Sequence, residues 1–334
     1  MQLKNIITFF YALMAAFLLS SIVASRSDSI KESNDTSVYA ENYQCLESEI
    51  DISYCNSILG ANEPEFIYQF VAKTASQIFD FYWFKLVIGF IISFPMVWVV
   101  LRLSPGILVP SVMLFSDFRF WEYVSNVLRH GLALSIFLLG FFFLTELRDS
   151  KLRYLRFASI FTHIGAVFYL LSPIKKIHWL AIVIMLMLTS LLVVNSDFWL
   201  PELMALIGGG DKLNFYYVNN TTYDLQIPIH YLVIILLSSV FYGKSNNSPF
   251  IASVNILIIL LLFSMIFGLI GLSYRVTSLM LPFVIICAVH QISCFSASFS
   301  NNRNIAFVFI SIIYITVFLL AFFRNLDAFF VHLI

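Results

Sequence analysis

The chain has 334 residues, 60% hydrophobic and 11% charged, with a mean hydropathy of +0.90. Soluble globular domains carry about a quarter charged residues, so this composition excludes a soluble enzyme and defines a polytopic membrane protein. The formal net charge is zero, which argues against nucleic acid as a partner. The six histidines are scattered without HExxH or CxxC spacing, so neither metal nor cofactor is expected.

The first apolar run, Ile6 to Ala24, is long enough to span and lacks an A-x-A cleavage site. It reads as a retained helix, with a cleaved signal peptide as the alternative. Lys4 before it sets the amino terminus inside by the positive-inside rule, so residues 25–82 form a first, acidic outer loop. Cys45 and Cys55 in that loop face an oxidising compartment and read as a disulfide, two free thiols being the alternative. The stretch EPEFIYQFVAKTASQIF then places Phe66, Ile67, Phe70, Val71, Ile78 and Phe79 at the spacing of an amphipathic helix lying on the membrane surface.

Phe84 to Leu101 returns inside to Arg102. Pro105 to Phe115 is expected as a short outward span ending in the polar lip SDFRFWEYVSN, with Trp121 and Tyr123 as interface anchors. Gly131 to Leu147 leads back to Arg148, Lys151, Arg153 and Arg156, the densest positive cluster in the chain. The next run, Phe157 to Ser172, falls short of the ~20 residues of an upright span, and Thr162, His163 and Gly165 interrupt it. A full crossing would leave Lys175 and Lys176 outside, against the charge rule. A re-entrant or broken helix removes that misfit, because irregular backbone is allowed where it lines a polar cavity.

Trp179 to Val194 then leads to a second outer loop, residues 195–226, with Asp197, Glu202, a GGGD run ending at Asp211, and Tyr217. Ile227 to Tyr242, Phe250 to Leu272, Val276 to Ser293 and Ile305 to Phe323 complete a single integral membrane domain over 1–334. The expected fold is all-α, with about nine to eleven transmembrane helices and a re-entrant segment.

Polar side chains gather on the outer side of this map: Arg26, Asp35, Tyr39, Glu63, Arg129, His163, Asp211, Tyr217 and Arg275. Charged and imidazole groups at the lip of a bilayer are costly and mark functional candidates. Arg129 and Arg275 each sit at the outer end of a helix, where the guanidinium fork can meet phosphate oxygens. Snorkelling to lipid headgroups is the alternative for either. Arg129 and His163 are expected to share one polar site near the outer surface.

The order of several short landmarks resembles the Wzy-type O-antigen polymerases, in the branch grouped with the EpsG-like exopolysaccharide proteins. Arg26 is followed by Asp35 and Tyr39, four residues apart, and E-P-E-F-I-Y runs from Glu63 to Tyr68. R-H-G-L-A-L-S, Arg129 to Ser135, resembles the family's R-Q-G-L-A-L-A, with His130 where glutamine is usual. F-A-S-I-F-T-H, Phe157 to His163, resembles A-S-L-F-H with one extra residue, and Y-R-V, Tyr274 to Val276, resembles a late arginine that opens a span.

The resemblance implies a GT-C-like glycosyltransferase in the bacterial inner membrane with its active site facing the periplasm. It implies transfer of a growing polysaccharide from undecaprenyl diphosphate onto the non-reducing end of a new lipid-linked repeat unit. Expected partners are the undecaprenyl-diphosphate-linked oligosaccharide, membrane lipid and a chain-length regulator protein. Arg129, Arg275 and Arg26 would bind the diphosphate, while Tyr39 and Tyr217 would contact sugar. His163 leads Glu63 and Asp35 as general base, with a diphosphate contact as its alternative role. A flippase of the same lipid-linked unit would show polar residues at the midplane and an internal repeat, and neither is evident. A membrane O-acyltransferase would place an acidic residue or Asn beside its histidine, and none flanks His163.

Overall fold

Long apolar runs punctuated by capping residues dictate the architecture, and no strand occurs among the described residues. The computed structural model describes residues 2–25, 35–48, 54–55, 58, 66–146, 154–163, 166–170, 175–196, 198–200, 223, 225–270, 273–299 and 302–326. They fall into two compact units, Met1–Leu170 with Phe295–Ile334, and Leu171–Cys294.

The first unit begins with α1 (Gln2–Ala24), α2 (Asp35–Glu47), α3 (Phe66–Ser76) and α4 (Phe81–Arg102). Asp80 caps α4 by accepting from Trp83 N at 3.0 Å, which satisfies one orphan amide of the first turn. α1 and α4 run antiparallel. Lys4 Nζ donates to Ser104 O at 2.9 Å at one end, the Phe9 and Phe94 rings meet at 5.5 Å, and Gly89 lies against Ser20 toward the other. On α3, Tyr68, Ala72 and Ser76 form the buried face, at i, i+4 and i+8. Phe66 and Phe70 remain exposed.

The return passage differs from the expected span. α5 (Leu108–Phe115) has eight residues, about 12 Å at 1.5 Å per residue, too short to cross. Asp117 breaks the helix and caps α6 (Phe118–Ser125), accepting from Arg119 N at 3.0 Å. The two short helices together carry the chain from Ser104 back to Asn126, so the expected polar lip is the second half of the passage. Trp121 and Tyr123 are therefore buried, at 8% and 1% exposure, rather than interface anchors. The buried Asp117 carboxylate pairs with Arg119 at 3.8 Å, which compensates two charges removed from water.

α7 (Leu128–Thr145) lies parallel to α4, with Ser135 Oγ donating to Ile92 O at 2.6 Å and Trp98 against Phe142 at 4.9 Å. Gly131 permits the approach of α6, because a Cβ there would stand 2.5 Å from Tyr123 O. Gly140 does the same for α8 (Leu155–Thr162), where a Cβ would stand 2.9 Å from Arg156 N. α8 climbs along α7 and ends at His163, whose backbone is extended at φ −159°, ψ 130°. After this break the chain turns back through α9 (Val167–Leu170). Tyr169 stacks on Phe137 at 4.3 Å, and its carbonyl accepts from Arg156 Nη2 at 3.3 Å. Among the described residues the segment thus folds as a helical hairpin along α7. Arg156, expected in the basic connector, is the second residue of its first helix.

The second unit holds α10 (Trp179–Val194), α11 (Ile229–Tyr242), α12 (Ser248–Phe267), a 3-10 turn (Gly268–Ile270), α13 (Ser273–Ser278) and α14 (Leu281–Ala297). Asn247 caps α12 by accepting from Phe250 N at 2.9 Å. Lys176 Nζ donates to Gly243 O at 2.8 Å, and Asn255 Nδ2 to Lys175 O at 2.8 Å. Both lysines therefore share the end of this unit that carries the turn between α11 and α12. At depth, Gln291 Nε2 donates to Ile234 O and Ser238 Oγ, each at 2.7 Å, so a buried amide is satisfied across two helices. α15 (Arg303–Arg324) belongs to the first unit and packs on α5.

Five described helices, α1, α4, α7, α12 and α15, are long and apolar enough to cross a membrane, and α10, α11 and α14 are apolar but shorter.

Candidate functional site at the Arg129 end of the first unit

Four segments distant in sequence meet where α7 begins. The Arg129 guanidinium, at the first turn of α7, donates from Nε to the Tyr39 hydroxyl at 3.3 Å and lies 5.8 Å from the Tyr39 ring centroid. Tyr39, on α2, is 2% exposed and meets the Tyr68 ring of α3 at 5.7 Å. The next residue, His130, is buried at 5% exposure, edge-on to Tyr123 of α6 at 5.7 Å. Its ring also meets the His163 ring at 4.5 Å with a 58° tilt. Arg129 is half-buried, and so is His163 at the helix break.

The elements that hold Tyr39 and Tyr68 are themselves braced. Cys45 and Cys55 are joined by a disulfide with Cα atoms 5.5 Å apart. Asn42 Nδ2 donates to Cys55 O at 2.7 Å, Lys73 Nζ to Leu46 O at 3.1 Å, and the Tyr43 hydroxyl to Phe79 O at 2.9 Å. Burial, reinforced by Glu47 and Asp80, pushes the Tyr43 hydroxyl above its ordinary range, so it stays a donor. A cationic side chain on a rigid helix is thus held against an aromatic wall that a disulfide and three hydrogen bonds keep in place. Such an arrangement suits an anionic group whose charge must be met without reorganisation.

Of the residues expected in a site, Arg129, Tyr39 and His163 come to this end, His163 by way of His130. Asp35 opens α2, but its side chain lies outside the described residues, as do Arg26, Glu63 and Tyr217 altogether. Arg275 is on α13 of the second unit, exposed. His130 was not among the expected site residues. Its signal was available: an imidazole beside Arg129 in an otherwise apolar helix, at the position where the landmark usually has glutamine. No group of three or more His, Cys, Asp or Glu among the described residues could hold a metal ion.

The fold and this site define an all-α polytopic membrane protein with a polar, aromatic-walled cluster at one end of a helical unit. The EpsG family model matches residues 8–332, and the chain belongs to that family. Membership supports a polysaccharide-polymerase-like role in a multi-pass membrane protein. No curated protein and no solved structure matches the chain.

Proposed function

We propose that the protein is a polysaccharide polymerase of the bacterial inner membrane. It transfers the growing glycan from undecaprenyl diphosphate to the non-reducing end of a new lipid-linked repeat unit, at a site facing the periplasm. The observation that carries this reading is the convergence of Arg129, Tyr39, His130 and His163 at one end of the first unit.

In the reaction, a hydroxyl of the incoming unit attacks the anomeric carbon of the donor glycan. The bond from that carbon to the diphosphate oxygen breaks, and undecaprenyl diphosphate leaves with the electron pair. The hydroxyl proton passes to His163, with Glu63 and Asp35 as the other candidate bases. Arg129 meets the charge that develops on the leaving diphosphate, and Tyr39 holds its Nε so that the guanidinium fork keeps one orientation. Arg26 and Arg275 are further cationic candidates for the diphosphate, and Tyr217 for sugar. A chain-length regulator protein would act on the same growing glycan.

The test is the surface polysaccharide of a host from which the gene is deleted, resolved on a gel. Loss of a polymerase leaves the lipid core with a single repeat unit and removes the ladder of longer chains. Core without any repeat would instead indicate a flippase or ligase. An unchanged ladder would overturn the proposal.

A further inference from the structure

At the opposite end of the same unit, the Lys4 end, α1, α4 and α7 leave a groove of about 390 Å³ between them. This is within the size range of small-ligand sites. Its walls are Phe9 and Phe10 of α1, Trp98 of α4 and Phe142 of α7, with Asn5 and Arg102 as its polar lining. The aromatic floor is continuous: Phe94 stacks on Trp98 at 6.2 Å, Trp98 meets Phe142 at 4.9 Å, and Phe9 meets Phe94 at 5.5 Å.

The lining is almost wholly apolar, and Arg102 is its one charged residue. Lys4 is already engaged with Ser104 O and lies within electrostatic reach of both Arg102 and Glu146. Arg102 lines the groove and Lys4 does not.

We infer that this groove is a binding site for an anionic phospholipid, its acyl chain on the Phe9–Trp98–Phe142 wall and its phosphate on Arg102. Phosphatidylglycerol serves as the anionic probe, because the contact inferred is one of charge. The charge rule assigns the Lys4 end to the cytoplasmic leaflet, where basic pockets between transmembrane helices take anionic headgroups. The inference stands independently of the proposed reaction, because it is read by binding alone.

Trp98 supplies its own probe. The full-length protein and its Trp98→Phe variant are reconstituted in phosphatidylcholine vesicles containing brominated phosphatidylglycerol or brominated phosphatidylcholine. The Trp98 component of the fluorescence is the difference between the two proteins. Brominated phosphatidylglycerol is expected to quench that component about fivefold more effectively than brominated phosphatidylcholine, the ratio one guanidinium–phosphate contact supplies. Arg102→Gln should bring the ratio to one, while Arg102→Lys keeps most of it and controls for folding. Equal quenching by the two lipids, or a preference that survives Arg102→Gln, would overturn the assignment. So would relief of quenching by an equal amount of polyprenyl phosphate, which would make the occupant a carrier lipid.

Discussion

The two ends of the first unit share α7, yet they treat their cations differently. At the Lys4 end the ammonium is absorbed by a backbone carbonyl, Ser104 O, and Arg102 lines an apolar groove. At the Arg129 end the guanidinium rests on side chains: the Tyr39 hydroxyl and ring, themselves backed by Tyr68. A carbonyl cap closes a helix end, whereas a side-chain cradle orients a cation. The brace on the second cradle makes the same point, because the Cys45–Cys55 disulfide and the Asn42, Lys73 and Tyr43 hydrogen bonds all secure elements around Tyr39 and Tyr68. The comparison teaches that the first unit is anchored at one end and presents a preorganised positive group at the other.

The sharpest way to break this comparison is to remove Arg129. Arg129→Ala is expected to cost roughly 10²–10³ in the rate of chain extension, the scale of a lost charge-stabilising donor. Arg129→Lys should retain part of the rate, since it keeps the charge and loses only the fork geometry. Chain extension by the purified variants on a lipid-linked repeat unit measures both. An Arg129→Ala enzyme of full activity would make this end no different in kind from the other.

A smaller effect follows from the approach of α6 to α7. Gly131→Ala places a methyl group 2.5 Å from Tyr123 O and forces backbone apart, at a cost of about 1–3 kcal/mol. It should lower the unfolding midpoint in detergent. Gly140→Ala, tight against Arg156 N at 2.9 Å, should do likewise while disturbing the helical hairpin instead of the Tyr123 wall. Unchanged midpoints for both would mean that these helices are free to part.

The smallest effect tests how far the cradle extends. His130→Ala removes the ring that meets His163 and is expected to lower kcat about tenfold, as misplacement of a reacting group does, with KM little altered. His130→Gln should recover part of the loss. A change confined to KM would place His130 in substrate binding rather than in the support of His163.

Much of this was legible beforehand, and particular residues show why. The membrane class followed from composition, because a bilayer tolerates few charges and 11% of this chain is charged. The hairpin at His163 was readable because Thr162, His163 and Gly165 interrupt a run too short to cross. Asp117 was read as the start of a surface lip, and the structure makes it the break in a two-helix passage whose charge is paired at depth with Arg119. A single acidic residue looks the same in sequence whether water or an arginine compensates it. α3 was read from Phe66, Ile67, Phe70 and Val71 as an amphipathic helix on the membrane surface; Phe66 and Phe70 are exposed, and what the pattern did not reveal is that Tyr68, Ala72 and Ser76 form the face that packs inward.

The amino-acid sequence by itself determined that the protein is helical and membrane-bound. It also determined that an arginine opens one of its helices and that a histidine interrupts a later one, since these are matters of composition, periodicity and local cost. Only the tertiary structure decided that Tyr39 holds Arg129 across ninety residues of chain and that His130 is the neighbour His163 meets. Such pairings depend on which helices lie side by side and in what register, and no local pattern encodes that. Close packing settles it, at points such as Gly131 where one missing Cβ lets two helices touch.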